Sequence, residues 1–214
     1  MKKVVCYREV AYLLGIFLVA FSAALLSRAD FGVSMIVAPA YLLYLKVSES
    51  VSWFTFGIAE YIVQGSLIIL MMIVMRKIRF SYLLAFVTTF FYGSVLDLCM
   101  KLVSYIPADN LGIRIFLFAF GLIICGPGVA LMFNTYLPQE AYDMFVVRVS
   151  ERYDLNRSKF KIGYDITSTL VSVIFSFAFF GMWNFVGINI GTAISALLNG
   201  LIIGLFSKLF DKTL

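Results

Sequence analysis

Long apolar stretches, separated by short polar segments, run through the whole chain. Six of them hold about 18 or more residues with few charges, enough to cross a hydrocarbon core roughly 30 Å thick as helices. Because unpaired backbone groups are costly in lipid, and because the apolar runs do not alternate with polar residues, the pattern predicts transmembrane helices rather than barrel strands. The predicted spans are Val10–Ser27, Phe54–Met75, Phe80–Val103, Ile113–Phe133, Ile162–Met182 and Val186–Phe206.

Two shorter segments, Val33–Leu45 and Pro138–Val149, follow the first and fourth spans. Helices of this length reach only about 20 Å, too short to cross a bilayer, so each is expected to be re-entrant or to lie along the interface. Pro138 suits the first turn of a helix. Pro39 lies further inside its segment and is expected to distort the helix.

The two halves of the chain resemble each other. At residue numbers that differ by 106, Arg8 matches Arg114 and Gly15 matches Gly121, and similar matches continue to the last span. The sequence therefore predicts two tandem repeats, residues 1–107 and 108–214, each with three spans and one short helix. Repeats of this kind are typical of transporters and channels, with the pathway between the halves.

Orientation depends on whether the short segments cross the membrane. If they do not, there are six spans and the halves are inverted; if they do, there are eight spans and the halves are parallel. Arg76, Lys77 and Arg79 crowd one short loop, and only the six-span arrangement places this loop in the cytoplasm together with the N-terminus. The loop favours six spans, inverted halves and cytoplasmic ends.

Composition agrees with a membrane protein and excludes several chemistries. The chain is 62% hydrophobic and 14% charged, and its net charge of +5 lies mainly at predicted cytoplasmic ends, where it sets orientation rather than binding nucleic acid. There is no His, the three Cys are far apart, and phosphate-loop, dinucleotide and nucleophile-elbow motifs are absent. No enzyme activity, cofactor or metal site is expected.

Polar residues inside apolar helices are candidate functional residues, because a lipid-exposed charge costs about 2.5–3.5 kcal/mol or more. Glu60 and Gln64 are four apart and share one helix face. On the last span, Asn189, Thr192, Ser195 and Asn199 form one polar stripe, which either lines a pathway or bonds neighbouring helices. The candidate solute-binding residues are Glu60, Gln64, Asn134, Glu140, Asp143, Asp165, Thr192 and Asn199.

The fourth span contains Gly126, Pro127 and Gly128 in mid-membrane. A proline between glycines kinks or locally unwinds a helix. The triplet is either a hinge or a static kink that makes room for packing.

These features favour an integral membrane transporter of a small solute that binds between the repeats. Carboxylates outnumber bases in the inner elements, which favours a cationic or amine-containing solute, or proton coupling through a carboxylate. A solute or ion channel and a non-transport membrane scaffold or enzyme are the alternatives. The expected partners are the solute and the lipid bilayer, and the short chain leaves room for a homodimer.

The glycine-rich run from Gly187 to Gly200, with Thr192 inside it, resembles the glycine–threonine signature of YczE-type bacterial integral membrane proteins. A short acidic helix with Tyr142 and Asp143 after a glycine-rich span is also similar to that family. The resemblance implies a small multi-pass protein of the bacterial inner membrane and implies little about its substrate.

Overall fold

The computed structural model describes residues 2–135, 137 and 139–210, apart from the side chains of residues 2–7 and 158. These residues form eight α-helices and no strand. Six of the helices are long and apolar enough to cross a membrane, which confirms the prediction of an all-α polytopic membrane protein. The helices are α1 (Lys2–Ala29), α2 (Ala38–Ser48), α3 (Phe56–Met75), α4 (Phe80–Ser104), α5 (Leu111–Phe133), α6 (Ala141–Arg152), α7 (Arg157–Phe180) and α8 (Ile190–Phe210).

Local capping signals, rather than the limits of the apolar runs, decide where several helices begin. Helix α7 begins before the predicted Ile162, because the Asn156 side chain accepts a hydrogen bond from the Lys159 backbone N–H at 3.1 Å. Helix α8 begins after the predicted Val186, because Gly187 adopts a left-handed φ of +70° that interrupts a helix.

The two short helices contain 11 and 12 residues, so each is about 16–18 Å long. The expectation that Pro39 distorts the first of them is wrong. Helix α2 begins at Ala38, which places Pro39 in the first turn, where a missing N–H removes no helical hydrogen bond. The second short helix is α6, and Pro138 lies outside the described residues.

The chain divides into two compact units, and each draws helices from both predicted repeats. The first unit comprises Met1–Ser34, Ser94–Leu137 and Asn189–Leu214, and in it α5 packs against both α1 and α8. The second unit comprises Met35–Gly93 and Pro138–Ile188, and in it each short helix packs against both α3 and α7.

Helices α1 and α5 of the first unit run antiparallel. The Ser22 hydroxyl donates a buried hydrogen bond to the Gly121 carbonyl oxygen at 2.8 Å, while a Cβ placed on Gly15 would lie 2.9 Å from the Gly128 carbonyl oxygen. In the repeat alignment Gly15 corresponds to Gly121 and Ser22 corresponds to Gly128. The alignment therefore maps the Ser22–Gly121 contact onto the Gly128–Gly15 contact, so the two contacts are equivalent under the repeat.

The second unit has an apolar cluster beside the start of α6. Met71 and Met75 of α3 meet Tyr82 of α4 and Met144 and Phe145 of α6, and all five side chains are buried. Burial of this surface fixes the N-terminal end of α6 against the C-terminal half of α3. The polar face of α3 is thereby brought to the first residues of α6.

Candidate functional site

Glu60 and Gln64 lie on the buried face of α3, as their spacing predicts. Helix α3 is fixed at its start by the Thr55 side chain, which accepts a hydrogen bond from the Ile58 backbone N–H. Both polar side chains have zero exposure, and they continue the buried row that contains Ile68. A buried carboxylate this deep in a helix requires partners, and these come from α4 and α6.

One carboxylate oxygen of Glu60 is saturated and the other is open. Its Oε2 accepts hydrogen bonds from Gln64 Nε2 at 2.9 Å and from the Tyr142 hydroxyl at 3.0 Å. Its Oε1 is buried and has no hydrogen-bond partner among the described residues. Nor is Glu60 part of any ion pair formed within them. The geometry leaves one acceptor position for a further donor.

Gln64 holds this arrangement together. Its Oε1 accepts the Ala141 backbone N–H at 3.3 Å and the Thr89 hydroxyl at 2.7 Å, and Thr89 is also within reach of the Ala85 carbonyl oxygen. Because a backbone N–H can only donate, it fixes the amide oxygen of Gln64 towards α6 and the amide nitrogen towards Glu60. We call Glu60, Gln64, Thr89, Ala141 and Tyr142 the Glu60 cluster.

The Glu60 cluster lies at the positive end of a helix. Ala141 is the first residue of α6, and its N–H is one of the terminal donors that have no partner inside the helix. The amino end of a helix carries a partial positive charge, which favours carboxylates nearby. Glu60 is thus held near a favourable dipole but without a full counter-charge.

An acid–base pair flanks the cluster. Asp143 Oδ1 lies 3.2 Å from Lys161 Nζ, and Asp165 is placed one turn beyond Lys161 on the same face of α7. The Oδ1 atom of Asp165 is buried without a hydrogen-bond partner in the described part of the chain. With Glu60 and Glu140, four carboxyl groups share this region of the second unit with one paired lysine.

Burial governs the ionisation of the groups at the start of α6. It raises the pKa of Glu140 well above its ordinary value, and the negative charges of Asp143 and Glu60 raise that pKa further. Burial likewise raises the pKa of the Tyr142 hydroxyl, with the charge of Glu60 as the next cause. Tyr142 therefore remains a hydrogen-bond donor to Glu60 at neutral pH.

Replacing Gln64 by leucine is expected to lower the free energy of unfolding by about 1–3 kcal/mol, because it leaves the Ala141 N–H buried without a partner and removes one of the two donors to Glu60 Oε2. Unfolding by SDS in mixed micelles measures the loss. Thr89→Val is the matched control, since it removes one hydroxyl at constant shape and is expected to cost about 1 kcal/mol. Wild-type stability in Gln64→Leu would contradict the role assigned to Gln64.

The structure places five predicted site residues together in the second unit: Glu60, Gln64, Glu140, Asp143 and Asp165. The other three, Asn134, Thr192 and Asn199, belong to the first unit. There Thr192 is buried with no hydrogen-bond partner for its hydroxyl in the described part of the chain, and the same holds for Ser195. The middle of the predicted polar stripe, Thr192 and Ser195, therefore faces inward, whereas Asn189 is exposed and Asn199 is half-buried.

The glycines of the predicted hinge lie in tight helix contacts. A Cβ on Gly126 would collide with Ile202 of α8, and one on Gly128 would lie 2.9 Å from Val19 Cγ2 of α1. Helix α5 continues through Pro127 as one helical element. The glycines thus allow α5 to approach two neighbours, and a hinge at Pro127 stays a prediction.

The sequence pattern does not identify two members of the region. Thr89 is one of two adjacent threonines in an apolar span and gives no periodic signal, and Lys161 is one of many basic residues near predicted span ends. Tyr142 enters the sequence analysis only through the resemblance to a family.

The profile of a family of unknown function, DUF6198, matches residues 6–208. No match was found among curated proteins or among solved structures. The matched range contains the Glu60 cluster, the acid–base pair and nearly all of the eight helices. The chain therefore belongs to DUF6198, a family of unknown function.

Proposed function

We propose that this membrane protein transports a small organic cation and that Glu60 binds it. The observation that carries the proposal is the open Oε1 of Glu60, which is buried, unpaired and held in place by neighbours that saturate the other oxygen. Intramembrane carboxylates of this kind are costly, and they mark solute or ion sites in many membrane proteins. The proposed activity is movement of the solute without chemical conversion.

The packing supports an origin by duplication with inverted halves. In an inverted pair of repeats, equivalent helices run in opposite directions through the membrane, and α1 and α5 are antiparallel. The Glu60 cluster joins α3 of one repeat to α6 of the other. A solute-binding site between repeats is the usual arrangement in such transporters.

The proposed setting is the bacterial inner membrane, with both ends of the chain in the cytoplasm. The basic loop Arg76–Arg79 supports this orientation, since such loops remain on the cytoplasmic side. The likeness of the glycine-rich helix to YczE-type proteins supports the bacterial location, and we infer a relationship to that group.

The chemistry of the site favours a cation with N–H donors. One open oxygen suffices for a charge-assisted hydrogen bond, whereas Ca²⁺ and Mg²⁺ need about six or more oxygen ligands. Tyrosine rings lie near Glu60, and ring faces attract cations. These are Tyr142 and Tyr164, with Tyr92 beside Tyr142.

Guanidinium is the most direct probe, because it is permanently charged, cannot cross lipid as a neutral base and presents several N–H groups. Vesicles reconstituted with the protein are expected to take up labelled guanidinium faster than empty vesicles. Excess unlabelled methylguanidinium is expected to compete, because it has the same charge and retains N–H donors.

Tetramethylammonium is the matched control, since it carries the same charge without any N–H donor, and it is expected to compete poorly. Guanidinium uptake equal to that of empty vesicles, with no increase in the Tm of the purified protein by guanidinium, would overturn the proposed function. Equal competition by tetramethylammonium would overturn the requirement for an N–H donor.

A further inference from the structure

Resting on the proposed function, the geometry at Glu60 also indicates how transport is driven. The carboxylate has one saturated oxygen and one open oxygen, and Gln64, one of the two donors to Oε2, is itself held by the Ala141 N–H and by Thr89. Gln64 therefore cannot turn from Oε2 to Oε1 without breaking the Glu60 cluster. Oε1 is buried and has no hydrogen-bond partner among the described residues, so it can accept a hydrogen bond from a bound solute.

An ionised Glu60 carboxylate with one unpaired oxygen is not stable in this buried position unless a cation is bound to it. Removing a carboxylate from water costs several kcal/mol, and the two neutral donors on Oε2 offset only part of that cost. When no cation is bound, a proton on Oε1 removes the charge. When a cation donates to Oε1, the charge is compensated and the proton has to leave.

Among the described residues, the groups around Glu60 supply no unpaired positive charge for it. Glu140, Tyr142 and Tyr164 interact electrostatically with Glu60 from α6 and α7, and Tyr92 lies beside Tyr142. None of these four is a cation. Lys161 is held by Asp143, and the one cation of α2, Lys46, is paired with Glu49 at 2.8 Å.

We propose that a proton and the solute cation occupy Glu60 alternately, so that the protein exchanges one proton for one organic cation across the membrane. In the half-cycle that loads the cation, the Oε1–H bond breaks, the proton passes to water on the side from which the cation enters, and the cation N–H donates to the freed oxygen. A proton returns when the cation leaves on the other side. Charge is balanced at every step.

Vesicles that contain a pH-sensitive dye test the exchange. With equal pH on both sides, and with the membrane potential held at zero by potassium and valinomycin, external guanidinium is expected to make the vesicle interior more alkaline. One proton should leave for each guanidinium that enters. An acidic interior should accelerate guanidinium uptake, and collapse of the pH gradient should remove that acceleration.

The outcomes separate the two proposals. Guanidinium uptake without any change of internal pH, and without acceleration by the gradient, overturns the exchange but leaves transport standing. The absence of both uptake and binding overturns the proposed function and the exchange with it. Proton movement in a Glu60→Gln protein that still carries guanidinium would assign the proton to another group and overturn the shared site.

Binding by the purified protein in detergent gives a second measurement that does not depend on vesicles. Guanidinium affinity is expected to fall about tenfold for each pH unit below the point at which Glu60 takes up a proton, because one proton is displaced per cation. Proton release into a weakly buffered solution should match the amount of guanidinium bound. An affinity independent of pH would contradict the competition.

Discussion

Replacing Glu60 by glutamine is expected to weaken guanidinium binding by roughly 10- to 150-fold, since a charge-assisted hydrogen bond is worth about 1.5–3 kcal/mol. The amide keeps the volume of the side chain and can still accept at one atom, but it has no charge to offer the cation. Uptake into vesicles should fall accordingly, and the alkalinisation of the interior should disappear. Equilibrium binding and dye fluorescence measure the two losses.

The matched control is Glu49→Gln, which makes the same chemical change at an exposed acid that is paired with Lys46 at the end of α2. It is expected to leave uptake and proton movement unchanged. The free energy of unfolding of Glu60→Gln without guanidinium should be close to that of the wild type, because the protonated Glu60 side chain is also neutral and has nearly the same shape. Wild-type uptake by Glu60→Gln would eliminate the proposed site.

Replacing Gly191 by alanine is expected to cause the largest loss of stability of any single methyl addition in α8. A Cβ there would collide with the Phe31 backbone oxygen and would lie 2.7 Å from the Phe118 ring. The Gly191 N–H also donates to that oxygen at 2.9 Å, so the backbone cannot move away without losing the hydrogen bond. Overpacking of this kind costs typically about 1–3 kcal/mol.

Gly200→Ala provides the control within the same helix, because a Cβ at Gly200 meets nothing within 4 Å. It is expected to be neutral or to stabilise α8 by up to about 1 kcal/mol, since alanine is the better helix former. Thermal unfolding in detergent should therefore move in opposite directions for the two variants. Equal changes in the Tm of the two variants would show that the structure around Phe31 accommodates the added methyl group.

The sequence predicts the helices better than the site. Six apolar runs define the six long helices, since an uncharged apolar run of about 20 residues is what a helix needs to cross the hydrocarbon core. Pro39 shows what the apolar pattern does not predict. The effect of this proline depends on the residue at which α2 begins, and the apolar pattern does not identify that first residue. The ends of α7 and α8 likewise depend on Asn156 and Gly187.

The sequence predicts the part of the site whose members share one helix. Glu60 and Gln64 are four residues apart, and helical periodicity alone puts them on one face. Their partners Thr89, Ala141 and Tyr142 come from other helices, and only tertiary packing brings them near. Ala141 takes part through its backbone N–H, which every residue except proline has, so the pattern of side chains does not predict its role.

The long sequence separation within the Glu60 cluster has a consequence for biosynthesis. The Tyr142 hydroxyl that bonds Glu60 lies 82 residues further along the chain. At about 5–20 residues per second, the ribosome adds Glu60 roughly 4–16 s before it adds Tyr142. During that interval the nascent helix carries a carboxyl group and an amide without their final partners, so its delivery into lipid depends on the apolar residues around them or on a protective insertion factor.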